Sequence, residues 1–177
     1  MKEETEIKLR VASAEAARAL LTRGGAVPER PRVLEDNVLY DDAGGSLRAG
    51  GCVLRLREAG GEALLTFKGP KRLVQGAKRR DEHETRVASA AEMRAILAAA
   101  GYRGVFRYQK YRETWSFRGV EVLLDETPIG TFFELEGELH AIHEAASALG
   151  YTPNDYVSDS YATLFLASGR AGDMVFA

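Results

Sequence analysis

Charged and less polar side chains alternate along the first segment of the chain. Glu4, Glu6 and Lys8 share one parity, and Thr5, Ile7 and Leu9 share the other. Successive residues of a strand point to opposite faces, so this spacing predicts a strand over 3–11 with one charged face. The same period predicts strands over 33–41, 52–58, 63–68, 80–87, 107–117, 120–126 and 131–138, with turns at Ala59-Gly60-Gly61 and Arg118-Gly119. Elsewhere the pattern is helical. Ser13 caps an alanine-rich helix that Gly24-Gly25 stop, and Ser89-Ala90-Ala91-Glu92 resembles a capping box whose helix ends at Gly101. Further helices are expected over 140–149 and 160–167. Arg10-Val11-Ala12-Ser13-Ala14 recurs as Arg86-Val87-Ala88-Ser89-Ala90, a short repeat at a strand-to-helix junction that suggests two similar halves. The basic, glycine-containing stretch from Gly69 to Arg79, with Lys71, Arg72, Lys78 and Arg79, reads as a solvated surface loop. Residues 1–168 are expected to form one domain, and 169–177 an unimportant tail.

Parity applied to every strand groups the charges. Arg55 and Arg57 share a face, as do Lys110 and Arg112, Glu134 and Glu136, and the run Arg80, Glu82, Glu84, Arg86. Lys68 lies opposite Leu65 and Phe67, and Asp125 opposite Val122 and Leu124. On any single strand a sheet with one wet face produces the same alternation. The set differs in that acids pair with acids and bases with bases, whereas a solvated face intersperses the signs. About eight such strands fit an α+β fold in which an antiparallel sheet closes into a barrel, with helices packed on the apolar outside. The charged face then points inward. A lumen of that kind holds water, metal ions and a highly charged ligand, because unpaired buried charges are costly.

Composition narrows the picture. The 177 residues suit one domain, and 45% apolar residues suffice for a core. With 24 basic and 26 acidic residues there is no basic excess pointing to nucleic acid. Cys52 is the sole cysteine, so no intramolecular disulfide forms, which suits a reducing compartment. The N-terminus is charged from Lys2 and no apolar run spans a bilayer. The expectation is a soluble cytoplasmic protein with no membrane partner; a homodimer is left open.

The residues that carry these patterns resemble the CYTH, or triphosphate tunnel metalloenzyme, superfamily, which includes class IV adenylyl cyclases and thiamine triphosphatases. The resemblance runs from Glu4 to about Leu166. It comprises the Glu-x-Glu-x-Lys at the N-terminus, Leu54-Arg55-Leu56-Arg57, Thr66-Phe67-Lys68-Gly69-Pro70, Arg80-Asp81-Glu82-His83-Glu84, Lys110-Tyr111-Arg112, Val122 to Asp125, Phe133-Glu134-Leu135-Glu136 and Ser160-Tyr161. Glu-x-Glu-x-Lys alone is a weak pattern; the ordered set is highly specific. The resemblance implies an eight-stranded antiparallel tunnel that binds a triphosphate compound with Mg²⁺ or Mn²⁺. It implies Glu4, Glu6, Glu134 and Glu136 as metal ligands, and Lys8, Arg55, Arg57, Lys68, Arg80, Lys110 and Arg112 as a phosphate cradle. Asp125 is implied to support metal or orient a base, and Glu82 and Glu84 match acidic positions of unseparated role. Asp159 stands where the family often has a basic residue just before Ser-Tyr.

These types suit the chemistry. Hard carboxylate oxygens suit Mg²⁺ and Mn²⁺, Arg forks grip phosphate bidentately, and phosphoryl transfer needs mainly positioning and charge neutralisation. The leading expectation is metal-dependent hydrolysis of inorganic triphosphate, a nucleoside triphosphate or thiamine triphosphate. The Arg55/Arg57 pair resembles the family's hydrolases. The alternatives are an adenylyl cyclase producing cyclic AMP and pyrophosphate, and a non-catalytic polyphosphate-binding module. His83 is expected outside the barrel, Trp115 in the core, and no aromatic clamp is apparent on the inward parity. There is no Walker-type glycine loop.

Overall fold

The computed structural model describes residues 2–177. In chain order the elements are β1 (Lys2–Val11), α1 (Ala14–Gly24), β2 (Val27–Asp41), α2 (Ser46–Ala49), β3 (Val53–Ala59), β4 (Glu62–Lys68), β5 (Arg72–Val74), β6 (Ala77–Val87), α3 (Ala90–Ala99), β7 (Arg103–Phe117), β8 (Val120–Thr127), β9 (Gly130–Glu136), α4 (Leu139–Ala148) and α5 (Tyr161–Ala167). All strand pairings between these elements are antiparallel, in the order β1-β9-β8-β7-β2-β3-β4-β6. β1 returns to β6 and closes eight strands into a barrel. The closure splits β1. Glu4 and Glu6 face Arg80 and Lys78 of β6, while Lys8 faces Glu134 of β9.

The apolar parity lies outside, as the alternation requires. Ile7, Leu9, Val122, Leu124, Phe133 and Leu135 form the largest core with Ala17 and Leu21 of α1 and Ile142, Ala145 and Ala146 of α4. Burying one such Leu or Phe is worth roughly 1.5–3 kcal/mol. Trp115 belongs to this core. On the other side Leu97 of α3 packs against Tyr40 and Leu56. The repeated junctions are built alike: Ser13 accepts a hydrogen bond from Ala16 N, and Ser89 from Glu92 N. Two-residue turns at Gly60-Gly61, Gln75-Gly76 and Arg118-Gly119 have φ > 0 at both positions, the conformation that matches strand twist in a hairpin.

Four readings need correction. First, Gly69–Arg79 is not a solvated loop. It contains β5 and the turn into β6, and Lys78 is buried. Second, β2 begins at Val27 rather than 33. Pro28 and Pro31 lie where the β2–β7 register shifts, the irregular positions at which a strand tolerates proline. Third, β7 begins at Arg103 rather than 107. Fourth, the segment after Gly169 is docked: Met174 is fully buried and bridges to Tyr108.

Candidate active site

The lumen is a cavity of about 610 Å³, within the range of small-molecule sites. β1 presents Glu4, Glu6 and Lys8 to it. Arg55 and Arg57 come from β3, Lys68 from β4, Lys78, Arg80, Glu82 and Glu84 from β6, Lys110 and Arg112 from β7, and Glu134 and Glu136 from β9. Of the residues singled out by parity, two do not line it: Asp125 is fully buried behind the wall, and Arg86 is exposed beside Glu62.

Three carboxylates converge. One oxygen from each of Glu4, Glu6 and Glu136 lies within 4.8 Å of the others. Their surroundings differ. Burial and the neighbouring Glu4 push Glu136 up to about 8. Burial also raises Glu4, against the Lys68 ammonium at 2.7 Å. Burial works to raise Glu6 too, but Lys78 at 2.6 Å holds it below the ordinary value. A carboxyl that keeps its proton near neutral pH marks a place short of positive charge. The trio is therefore a fitting seat for a hard divalent cation. Glu134 does not join it. That carboxylate is 3.4 Å from Lys8 and hydrogen-bonded to Arg112, with Lys110 at 3.8 Å.

The bases are held by acids behind or beside them. Asp125 accepts from Lys110 at 2.9 Å, from Arg112 through two bonds of 2.7 Å, and from the Tyr161 hydroxyl at 2.8 Å. Arg57 is clamped between Glu35 at 3.2 Å and Glu84 at 3.3 Å. Arg55 donates to Thr66, which donates to Glu84. Lys68 bridges Glu4 and Glu82, each at 2.7 Å. Among the described residues, Arg80 has no carboxylate partner within ion-pair distance. Lys8 donates to the main-chain carbonyl of Asp159 at 2.9 Å and lies 4.0 Å over the Tyr161 ring. Burial lowers Lys8 to about 8 despite Glu134.

Lys78, Glu35, Thr66, Tyr108 and Tyr161 complete the site beyond the residues assigned from sequence. Lys78 shares parity with Arg80 and Glu82, a signal lost once the stretch before Arg80 is read as a loop. Tyr108 shares parity with Lys110 and corrects the expectation of no inward aromatic. Its ring packs against Phe106 at 6.1 Å, and Tyr161 faces Lys8. His83 is exposed, in keeping with its parity.

Residues 2–161 match the CYTH domain. The chain belongs to the CYTH family. A Methanocaldococcus jannaschii protein named "Putative adenylate cyclase" is 32% identical over 97 residues, covering 54% of this chain and about half (55%) of that relative. A Vibrio parahaemolyticus protein described in the same words shares the fold with a TM-score of 0.80 at 20% identity, over 93% of this chain and 98% of the other. A Hippeastrum protein, described as a putative adenylyl cyclase with a dominant triphosphatase activity, gives a TM-score of 0.70 at 20% identity over 95% and 97% of the two chains. CYTH proteins are enzymes of the adenylyl cyclase and triphosphatase types and in general depend on a divalent metal. Among the described residues, no helix is long and apolar enough to cross a membrane.

Proposed function

We propose that this CYTH protein is a divalent-metal-dependent triphosphatase that hydrolyses the terminal phosphoryl group of a triphosphate held in its lumen. The observation that carries the reading is the carboxylate trio of Glu4, Glu6 and Glu136 beside a wall of lysines and arginines in one cavity. The trio would hold Mg²⁺ or Mn²⁺; such an ion, when bound, supplies Lewis-acid charge neutralisation on phosphate oxygens. Lys8, Arg55, Arg57, Lys68, Lys78, Arg80, Lys110 and Arg112 bind and align the three phosphates. Asp125 and Glu134 take up the Nε and Nη2 donors of Arg112 and so fix its plane, which leaves Nη1 to meet phosphate. Glu134 orients Lys8, Lys110 and Arg112, and Glu84 orients Arg57. Glu82 shares Lys68 with Glu4 and sets the height of that ammonium. In the reaction a water oxygen bonds to the terminal phosphorus, the bridging P–O bond breaks with its oxygen kept by the shortened chain, the water's protons pass to phosphate oxygen and solvent, and orthophosphate and the shortened chain leave.

The cyclase reading requires a fitted base and ribose site. Neither lumen tyrosine offers a free face for a base: Tyr161 is covered by Lys8, and Tyr108 is packed among Phe106, Phe165 and Met174. That lining supports recognition chiefly through phosphates, and with it hydrolysis with loose selectivity for the organic group. Turnover of inorganic triphosphate with Mg²⁺, measured as orthophosphate released, tests the proposal. No release with either Mg²⁺ or Mn²⁺ would remove it.

A further inference from the structure

The CYTH match ends at residue 161, yet the chain beyond it is built into the wall. β8 pairs with β7 only from Tyr111 onward, which leaves Arg107–Gln109 with one bare edge. The C-terminal segment covers it. Met174 N donates to Arg107 O at 3.0 Å, and Gln109 N donates to Met174 O at 2.8 Å. Asp173 accepts from Arg107 N at 2.8 Å, and Gln109 Oε1 accepts from Phe176 N at 3.3 Å. The Gln109 amide is itself fixed by Asp36 at 2.9 Å.

This docking places one apolar side chain under the site. Met174 is fully buried with Tyr108, Phe132, Tyr161 and Phe165. Tyr161 opens α5, a seven-residue helix too short to hold its place without tertiary packing. Its hydroxyl bonds Asp125, which in turn holds Lys110 and Arg112. We infer that the C-terminal segment 173–176 is a positioning strap: Met174, seated by main-chain bonds on β7, sets Tyr161 and through Asp125 aims Lys110 and Arg112 at the substrate's phosphates. The inference rests on the triphosphate reading for the word substrate, and on the contacts alone for the strap.

Its test compares Met174→Ala, Met174→Leu and a chain ending at Gly172 with the parent. Each is assayed with inorganic triphosphate and Mg²⁺, and its amide hydrogen exchange is followed over 161–167. A cavity in the cluster that Met174 shares with Tyr108 and Tyr161 should raise KM by about tenfold in Met174→Ala, with kcat changed much less. Exchange over 161–167 should quicken, and Met174→Leu, which refills the space, should restore both. The shortened chain should behave like Met174→Ala; if it does not fold, the two point variants decide. A purely structural strap would lower the active fraction and so the apparent kcat, leaving KM at the parent value in Met174→Ala. That result, or parent-like exchange over 161–167, would overturn the inference. If the parent itself turns over no triphosphate, the proposed reaction is wrong. Titration with inorganic triphosphate then decides: weaker binding by Met174→Ala, recovered in Met174→Leu, upholds the positioning strap, and parent-like binding removes it.

Discussion

Glu134 and Glu136 lie two residues apart on one strand and one face, and their surroundings pull them in opposite directions. Burial disfavours both carboxylates. Lys110, Lys8 and Arg112 more than compensate Glu134, whereas Glu4 adds to the cost at Glu136, which rises to about 8. Substitution should separate the two. Glu136→Gln removes an uncompensated carboxylate, so thermal unfolding without metal should be unchanged or slightly later while triphosphate turnover falls to a trace. Glu134→Gln strands buried cations and should lower stability by about 3–5 kcal/mol, the cost of breaking a buried pair, with activity lost as a consequence. Arg112→Lys should keep part of the binding that Arg112→Ala loses, since an ammonium replaces the charge and not the fork; titration with inorganic triphosphate reads this. Glu35 gives a pH test. Burial opposes its ionisation, but Arg112, Lys110 and Arg57 hold it down at about 2. A depressed carboxyl contributes stability that is full above its unfolded value near 4.5 and is lost as pH falls toward 2. Unfolding free energy from denaturant titration should therefore fall with acid over that window in the parent, and fall less in Glu35→Gln, where Glu134, Glu82 and Asp36 still contribute. At this scale parity alone put most of the lining residues on the inward face. It could not separate Glu134 from the trio, because period two fixes a face and not the neighbours across the barrel. Parity does not single out Glu35, because Val33, Asn37 and Leu39 share its parity and dilute the charge signal.

The elements were legible where local chemistry sets them. Serine caps, glycine stops and two-residue turns act within a few residues, and those helices and hairpins lie close to the expected ranges. Ser13→Ala and Ser89→Ala should each cost about 1 kcal/mol in unfolding free energy, measured by denaturant titration, because each leaves a first-turn amide without its side-chain acceptor. What escaped depends on distant partners. β5 exists because the Gln75-Gly76 turn folds three residues back onto β6. The beginning of β2 carries prolines that argue against a strand, yet the bulged edge against β7 accommodates them. The C-terminal segment has no period to read; it is placed by one methionine and by an edge of β7 that β8 leaves uncovered.

For the whole molecule, the closure of β1 onto β6 brings the carboxylates and the bases together. It sets Glu4 and Glu6 from the start of the chain against Lys78 and Arg80, while β9 carries Glu136 to the same place. A barrel with apolar outer faces and helical cover can keep this many charges inside because most have opposite partners. In the proposed reaction this lumen hydrolyses a phosphate chain recognised chiefly by its phosphates. The most direct measurement supplies the purified protein with Mg²⁺ or Mn²⁺ and either inorganic triphosphate or ATP, and resolves orthophosphate, pyrophosphate and cyclic nucleotide. The account predicts orthophosphate from inorganic triphosphate at a rate at least comparable to that from ATP, abolished by chelator and by Glu136→Gln. Conversion of ATP to cyclic AMP and pyrophosphate, with inorganic triphosphate left intact, would contradict it.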